Sequence, residues 1–130
     1  MAFRLSIAQI NVTDLNLAWR FYVDTLGMTG RWSLGRGKAF ELDVQDRVRV
    51  LVYPVSLPAV KQYPEGAGVT LVFATEDLEQ TIHDWRQKEV TFIPAAWADR
   101  STGIATSPFG RFIAFADPFG NVHELIESSD

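Results

Sequence analysis

The chain carries one short signal twice. Asp14-Leu15 and Asp77-Leu78 stand 63 residues apart, and each follows an apolar run and opens an amphipathic stretch. A repeat at that spacing predicts two copies of one supersecondary unit. In the first copy, Phe3 to Val12 reads as a strand through Leu5, Ile7, Ile10 and Val12. Thr13-Asp14 supplies a helix N-cap, and Leu15, Ala18, Trp19, Tyr22, Val23 and Leu26 recur at helical spacing. Gly27 follows where a left-handed cap needs no side chain. Three strand-like runs come next, Met28 to Leu34, Lys38 to Val44 and Arg47 to Tyr53, with tight turns at Gly35-Arg36-Gly37 and Gln45-Asp46.

Pro54 to Gly68 holds three of the six prolines and reads as a connection. The order then repeats. Val69 to Ala74 is strand-like, and Glu76-Asp77 opens a helix whose Leu78, Ile82 and Trp85 share a face. Glu89 stands where glycine would cap that helix, which predicts an irregular end. Val90 to Trp97 is a strand that Pro94 confines to an edge or a bulge. Ala98 to Phe109 is irregular and without periodicity, which suits a mobile lid or a simply disordered loop. Arg111 to Ala116 pairs with Asn121 to Glu127 across the turn Asp117-Pro118-Phe119-Gly120. The expectation is one α+β domain over residues 1–130: two tandem β-α-β-β-β modules, 1–55 and 68–130, joined by a linker at 56–67. Each sheet has one face covered by a helix and a concave face that helps enclose a cleft.

Composition narrows function. The absence of cysteine removes thiolate nucleophiles and Cys-type zinc sites, and two histidines, His83 and His123, cannot make a three-histidine site in one chain. A net charge of -4 is a poor match to a nucleic-acid footprint. Arg31, Arg36, Lys38, Arg47 and Arg49 are read as solvated hairpin charges before an anion site. The longest apolar runs are too short for a membrane span, and the first residues lack a secretion pattern, so a soluble cytoplasmic protein is expected.

Two stretches carry a family resemblance. "INVTDLNLAWRFYVDTLGM" (Ile10 to Met28) resembles the V-x-D-L…F-Y…L-G opening of the glyoxalase / bleomycin-resistance / extradiol-dioxygenase group, the vicinal oxygen chelate superfamily. "FADPFGNVHELIE" (Phe115 to Glu127) is similar to its D-P-D-G-N-x-x-E-L close, with Phe119 in place of the acidic residue. The resemblance implies, for metal-dependent members, a divalent ion held by one side chain on the first and one on the last strand of each module. Carried onto this sequence, those positions are Ile7, Val50 (within one or two positions), Thr70 and Glu124. Only Glu124 is a good ligand, and one carboxylate does not hold a catalytic divalent ion. His123 lies next to it and so faces the other side of the sheet, whereas Gln9 shares a face with Ile7 and offers one oxygen.

Glu124 is therefore expected on the inward side of the last strand, where a buried carboxyl rises in pKa unless a cation or donor answers it. Its roles are a polar anchor for a ligand amine or hydroxyl, a general acid/base, or a plain structural pairing. Trp32, Phe40 and Trp97 are expected along the concave sheet, where aromatics bind planar ligands, with ordinary core as the other reading. Phe112 and Phe115 straddle opposite faces of one strand, so one of them lines the cleft; the turn length leaves the parity open, and Phe112 enters the ligand-binding set. Trp19 and Trp85 are read as core, His123 as helix-facing or exposed, His83 as solvated, and Arg111 as surface charge or an anion guide. The expected function is metal-independent, cofactor-free binding or sequestration of a small apolar or aromatic, antibiotic-like molecule. The ligand-binding set is Trp32, Phe40, Trp97, Phe112, Glu124 and Gln9. Two other classes stay open: a lyase, isomerase or dioxygenase with a non-standard metal set or Glu124 acid/base chemistry, and a sensor or interaction module. The resemblance also implies a homodimer. Neither nucleic acid nor membrane is an expected partner.

Overall fold

The computed structural model describes residues 2–33, 37–44 and 47–128; the turns expected at Gly35-Arg36 and Gln45-Asp46 lie outside them. The chain divides into two compact units, Met1–Ala59 and Val60–Asp130. Each is a mixed sheet with helix against one face, which makes the fold α+β. No described helix is long and apolar enough to cross a membrane.

In the first unit the strands are β1 (Ile7–Val12), β2 (Thr29–Ser33), β3 (Ala39–Asp43) and β4 (Arg49–Pro54), in the order β1-β4-β3-β2. β1 runs parallel to β4, and the other pairs are antiparallel. Helix α1 (Leu15–Trp19) starts at Asp14, whose carboxylate accepts the Leu17 N–H at 3.0 Å. The helix then widens into π geometry over Arg20–Thr25, marked by the Leu26 N–H donating to the Phe21 carbonyl five residues back. Side-chain alternation divides the sheet. Ile10, Val12, Phe40, Leu42, Val50 and Val52 share the helix-covered face and are buried. Position 30, paired with Leu42, lies on that face and is glycine; a Cβ there would sit 2.6 Å from Val23 and 2.8 Å from Trp19. Trp19, expected in the core, is half-buried instead, and its ring stacks on Trp32 at 4.9 Å and 7°.

The second unit has β5 (Val72–Ala74), β6 (Thr91–Ile93), β7 (Ala105–Ser107), β8 (Gly110–Ala116) and β9 (Val122–Ser128), ordered β5-β9-β8-β6 with β7 also on β8. Helix α2 (Leu78–Gln87) is capped by Asp77 and buries Leu78, Ile82 and Trp85, the stripe expected from the sequence. Three expectations need correction. The strand read from Val90 to Trp97 is only β6, because Pro94 has no N–H to continue the ladder. The segment read as irregular contains β7. The end of α2 is regular: the Val90 N–H donates to the Trp85 carbonyl and the Glu89 N–H to the Arg86 carbonyl, a Schellman motif with Glu89 at φ 64°. The β8–β9 turn is tied by Asp117, whose Oδ1 accepts the Phe119 and Asn121 N–H groups.

Candidate functional site

β9 alternates, so neighbouring residues serve opposite faces. His123 and Leu125 point to the α2 side with Ile113 and Phe115, and all four are buried. His123 packs edge-on to Phe73, and burial pushes its imidazole down to about 4, so it is neutral at physiological pH. Glu124 lies on the other face. Its directly paired neighbours there are Val72 on β5 and Ala114 on β8, with Ile126, Phe112 and Ala105 continuing the same face. The surroundings of this half-buried carboxylate are apolar on both sides.

The donor that answers it comes from outside the sheet. Tyr63, in the segment between Pro54 and Gly68, donates its hydroxyl to Glu124 Oε2 in a short hydrogen bond. Burial first, and then the hydrogen bond and charge of Glu124, push the phenol far above its ordinary range, so it remains a neutral donor. The composition of this stretch predicts only a connection and gives no role to Tyr63. The one signal was a single aromatic residue embedded among Pro and Gly, which says nothing of the strand it meets 61 positions later.

The other expected residues separate by face. Phe112 is buried on the Glu124 side, and Trp97 meets it edge-to-face at 6.3 Å while staying 67% exposed. Trp97 sits in a turn, beyond the strand that was expected to hold it. Trp32 and Phe40 are corrections: they pair across β2 and β3 on the helix-covered face and surround Trp19. Their strands were found, but the parity was wrong because Gly30 and Trp32 had to make room for, and stack on, the helix. Gln9 lies on the opposite, exposed face with Ile7, and its Nε2 donates to Asn11 at 2.8 Å. Val50 is a second parity correction. It faces the helix, and its neighbours Arg49 and Leu51 pair with Ile7 and Gln9 on the open face. Thr70 precedes β5 and is half-buried.

Two charged clusters elsewhere are paired locally. Arg49 makes two 2.8 Å bonds to buried Glu41, with Arg31 at 3.7 Å, and the Arg49 hydrogen bond holds that carboxyl below its usual range. Arg111, weighed as an anion guide, bridges Glu79 at 2.6 Å and Glu127 at 2.8 Å on the α2 side. Among the described residues, the three-membered acidic grouping close enough to share an ion is Asp77, Glu79 and Glu127, and Arg111 already occupies it. The positions that the family resemblance assigns to a metal hold Ile7, Val50 or its apolar or cationic neighbours, Thr70 and Glu124. That donor set does not fit a divalent ion.

A sequence profile of the Glyoxalase/Bleomycin resistance protein/Dioxygenase superfamily matches residues 4–125. The chain belongs to that superfamily. It is 25% identical over 134 residues to the uncharacterized protein YurT of Bacillus subtilis (strain 168), covering 95% of this chain and 98% of that one. Its fold is similar to TnmS3, an antibiotic binding protein from Streptomyces sp. CB03234, with a TM-score of 0.67, 19% identity and 98% coverage of each chain. The fosfomycin resistance protein FosX from Listeria monocytogenes is also similar, with a TM-score of 0.72, 16% identity and coverage of 99% and 96%. Superfamily membership accounts for the two-sheet architecture, and the site chemistry is argued from the residues.

Proposed function

We propose that this superfamily member binds a small, largely apolar or aromatic molecule without a metal ion or other cofactor. The observation that carries the reading is the Glu124 face of the second sheet: one carboxylate, bonded to one phenol, among Val72, Ala114, Ile126 and Phe112. Such a surface supplies apolar contact and a single orienting polar group, which is the make-up of a small-molecule site. Among the described residues of this unit, that face presents no convergent set of nitrogen and oxygen donors such as metal chemistry requires. The antibiotic-binding neighbour supports sequestration as the mode, since sequestration needs no bond chemistry. A cytoplasmic homodimer of single-domain chains, each with modules 1–55 and 68–130, belongs to the same proposal.

Trp97 is the built-in probe. Planar apolar compounds should quench or shift its fluorescence, and Trp97→Ala should remove most of the response while leaving the melting temperature within about 2 °C, because the side chain is largely exposed. EDTA should change neither result, and elemental analysis should find no stoichiometric divalent ion. Stoichiometric metal together with turnover that EDTA abolishes would establish the enzyme instead.

A further inference from the structure

Resting on that binding reading, we propose that the ligand of the Glu124 face is cationic: an aromatic or apolar molecule bearing a protonated amine. Tyr63 takes Oε2, and Oε1 has no hydrogen-bond partner among the described residues of its own unit. The residues directly across from it on both flanking strands, Val72 and Ala114, offer no polar side-chain atom. The ion pairs described within this unit join Arg111 to Glu79 and Glu127, which lie on the α2 side of the sheet. The Glu124 carboxylate is thus partly withdrawn from water, with a neutral donor and, among the described residues of its own unit, no cation.

A charge in that position is costly until an opposite charge with hydrogen-bonding capacity meets it. An ammonium supplies both. A ligand hydroxyl supplies the bond without the charge, and a ligand carboxylate is repelled. Tyr63 sharpens the choice, because a phenol held neutral cannot itself balance the charge, and its bond fixes the carboxylate so that Oε1 is the oxygen on offer. Phe112, with Trp97 against its edge, extends the same face two residues along and takes the flat apolar part of the molecule.

Three probes of one shape test this: 1-naphthylmethylamine, 1-naphthalenemethanol and 1-naphthoate, titrated calorimetrically into the whole chain at neutral pH. The amine should bind about tenfold more tightly than the alcohol, because both donate to the same carboxylate and only the ammonium adds an opposite charge, and the naphthoate should bind most weakly. Glu124→Gln should bring the amine-to-alcohol ratio to near one, because the neutral amide offers both probes an acceptor without a charge. Tyr63→Phe, which leaves the charge in place, should keep the preference for the amine. Equal affinity of wild-type protein for amine and alcohol, or a ratio that survives Glu124→Gln, would overturn the cationic assignment and leave apolar binding standing. Failure of all three probes to bind would overturn both.

Discussion

At Gly30 the helix and β2 of the first unit approach closely, and Gly30→Ala measures that. The new Cβ would lie 2.6 Å from Val23 Cγ2, 2.8 Å from Trp19 Cζ3 and 2.9 Å from Trp19 Cη2. All three are inside normal carbon contact, and the indole cannot simply swing away because Trp32 stacks on it and Phe40 meets its edge. Overpacking of this kind costs about 1–3 kcal/mol. The alanine also restricts the unfolded chain, which returns about 0.4–1 kcal/mol. The net expectation is a loss of about 1–2 kcal/mol, read as a fall of roughly 4–8 °C in melting temperature or a lower urea midpoint at unchanged slope. A double-mutant cycle identifies the cause. Val23→Ala removes the nearest atom, so the pair Val23→Ala/Gly30→Ala should lose about 1 kcal/mol less than the sum of the single changes. Unchanged or raised stability in Gly30→Ala, or strict additivity in the cycle, would refute the close packing of helix on β2.

Three further outcomes are expected. His123 titrates at about 4 in the folded chain against 6.5 unfolded, so the unfolded state holds more protons between those values. Stability should therefore be full above pH 6.5 and fall as pH drops towards 4, by about 3 kcal/mol in all, and His123→Leu should flatten that part of a urea-midpoint profile. Glu89→Gly should stabilise the protein by about 0.5–1 kcal/mol in thermal melts, since φ 64° is a strained conformation for a side-chain-bearing residue. Asp117→Ala should cost about 2–3 kcal/mol by urea denaturation, because it strips the Phe119 and Asn121 N–H groups and the Asn121 amide of their acceptor.

What could be read from the sequence follows from the range of the interactions involved. Asp14 and Asp77 cap their helices as expected because capping is settled within three residues. Alternation puts Phe112 and Phe115 on opposite faces, but the choice between them waits on the register across the turn, which pairs Phe112 with Ile126 and so sets it on the Glu124 face. Trp32, Phe40 and Val50 were given the wrong side of a correctly found sheet. Nothing local distinguishes the two faces when both carry apolar residues, and in β3 four consecutive residues are buried. The decision is made by Trp19 and Val23, packed against Gly30 from the helix. The partnership of Tyr63 with Glu124 was beyond reach for the same reason, since it joins a segment without periodicity to a distant strand.

The brevity of β5, β6 and β7 has a consequence for the second sheet's behaviour in solution. Each is three residues long, and Pro94 follows directly on β6. Strand borders that short offer too few free N–H and C=O groups to recruit another chain, so this apolar sheet is protected against fibril growth by the truncation of its own margins.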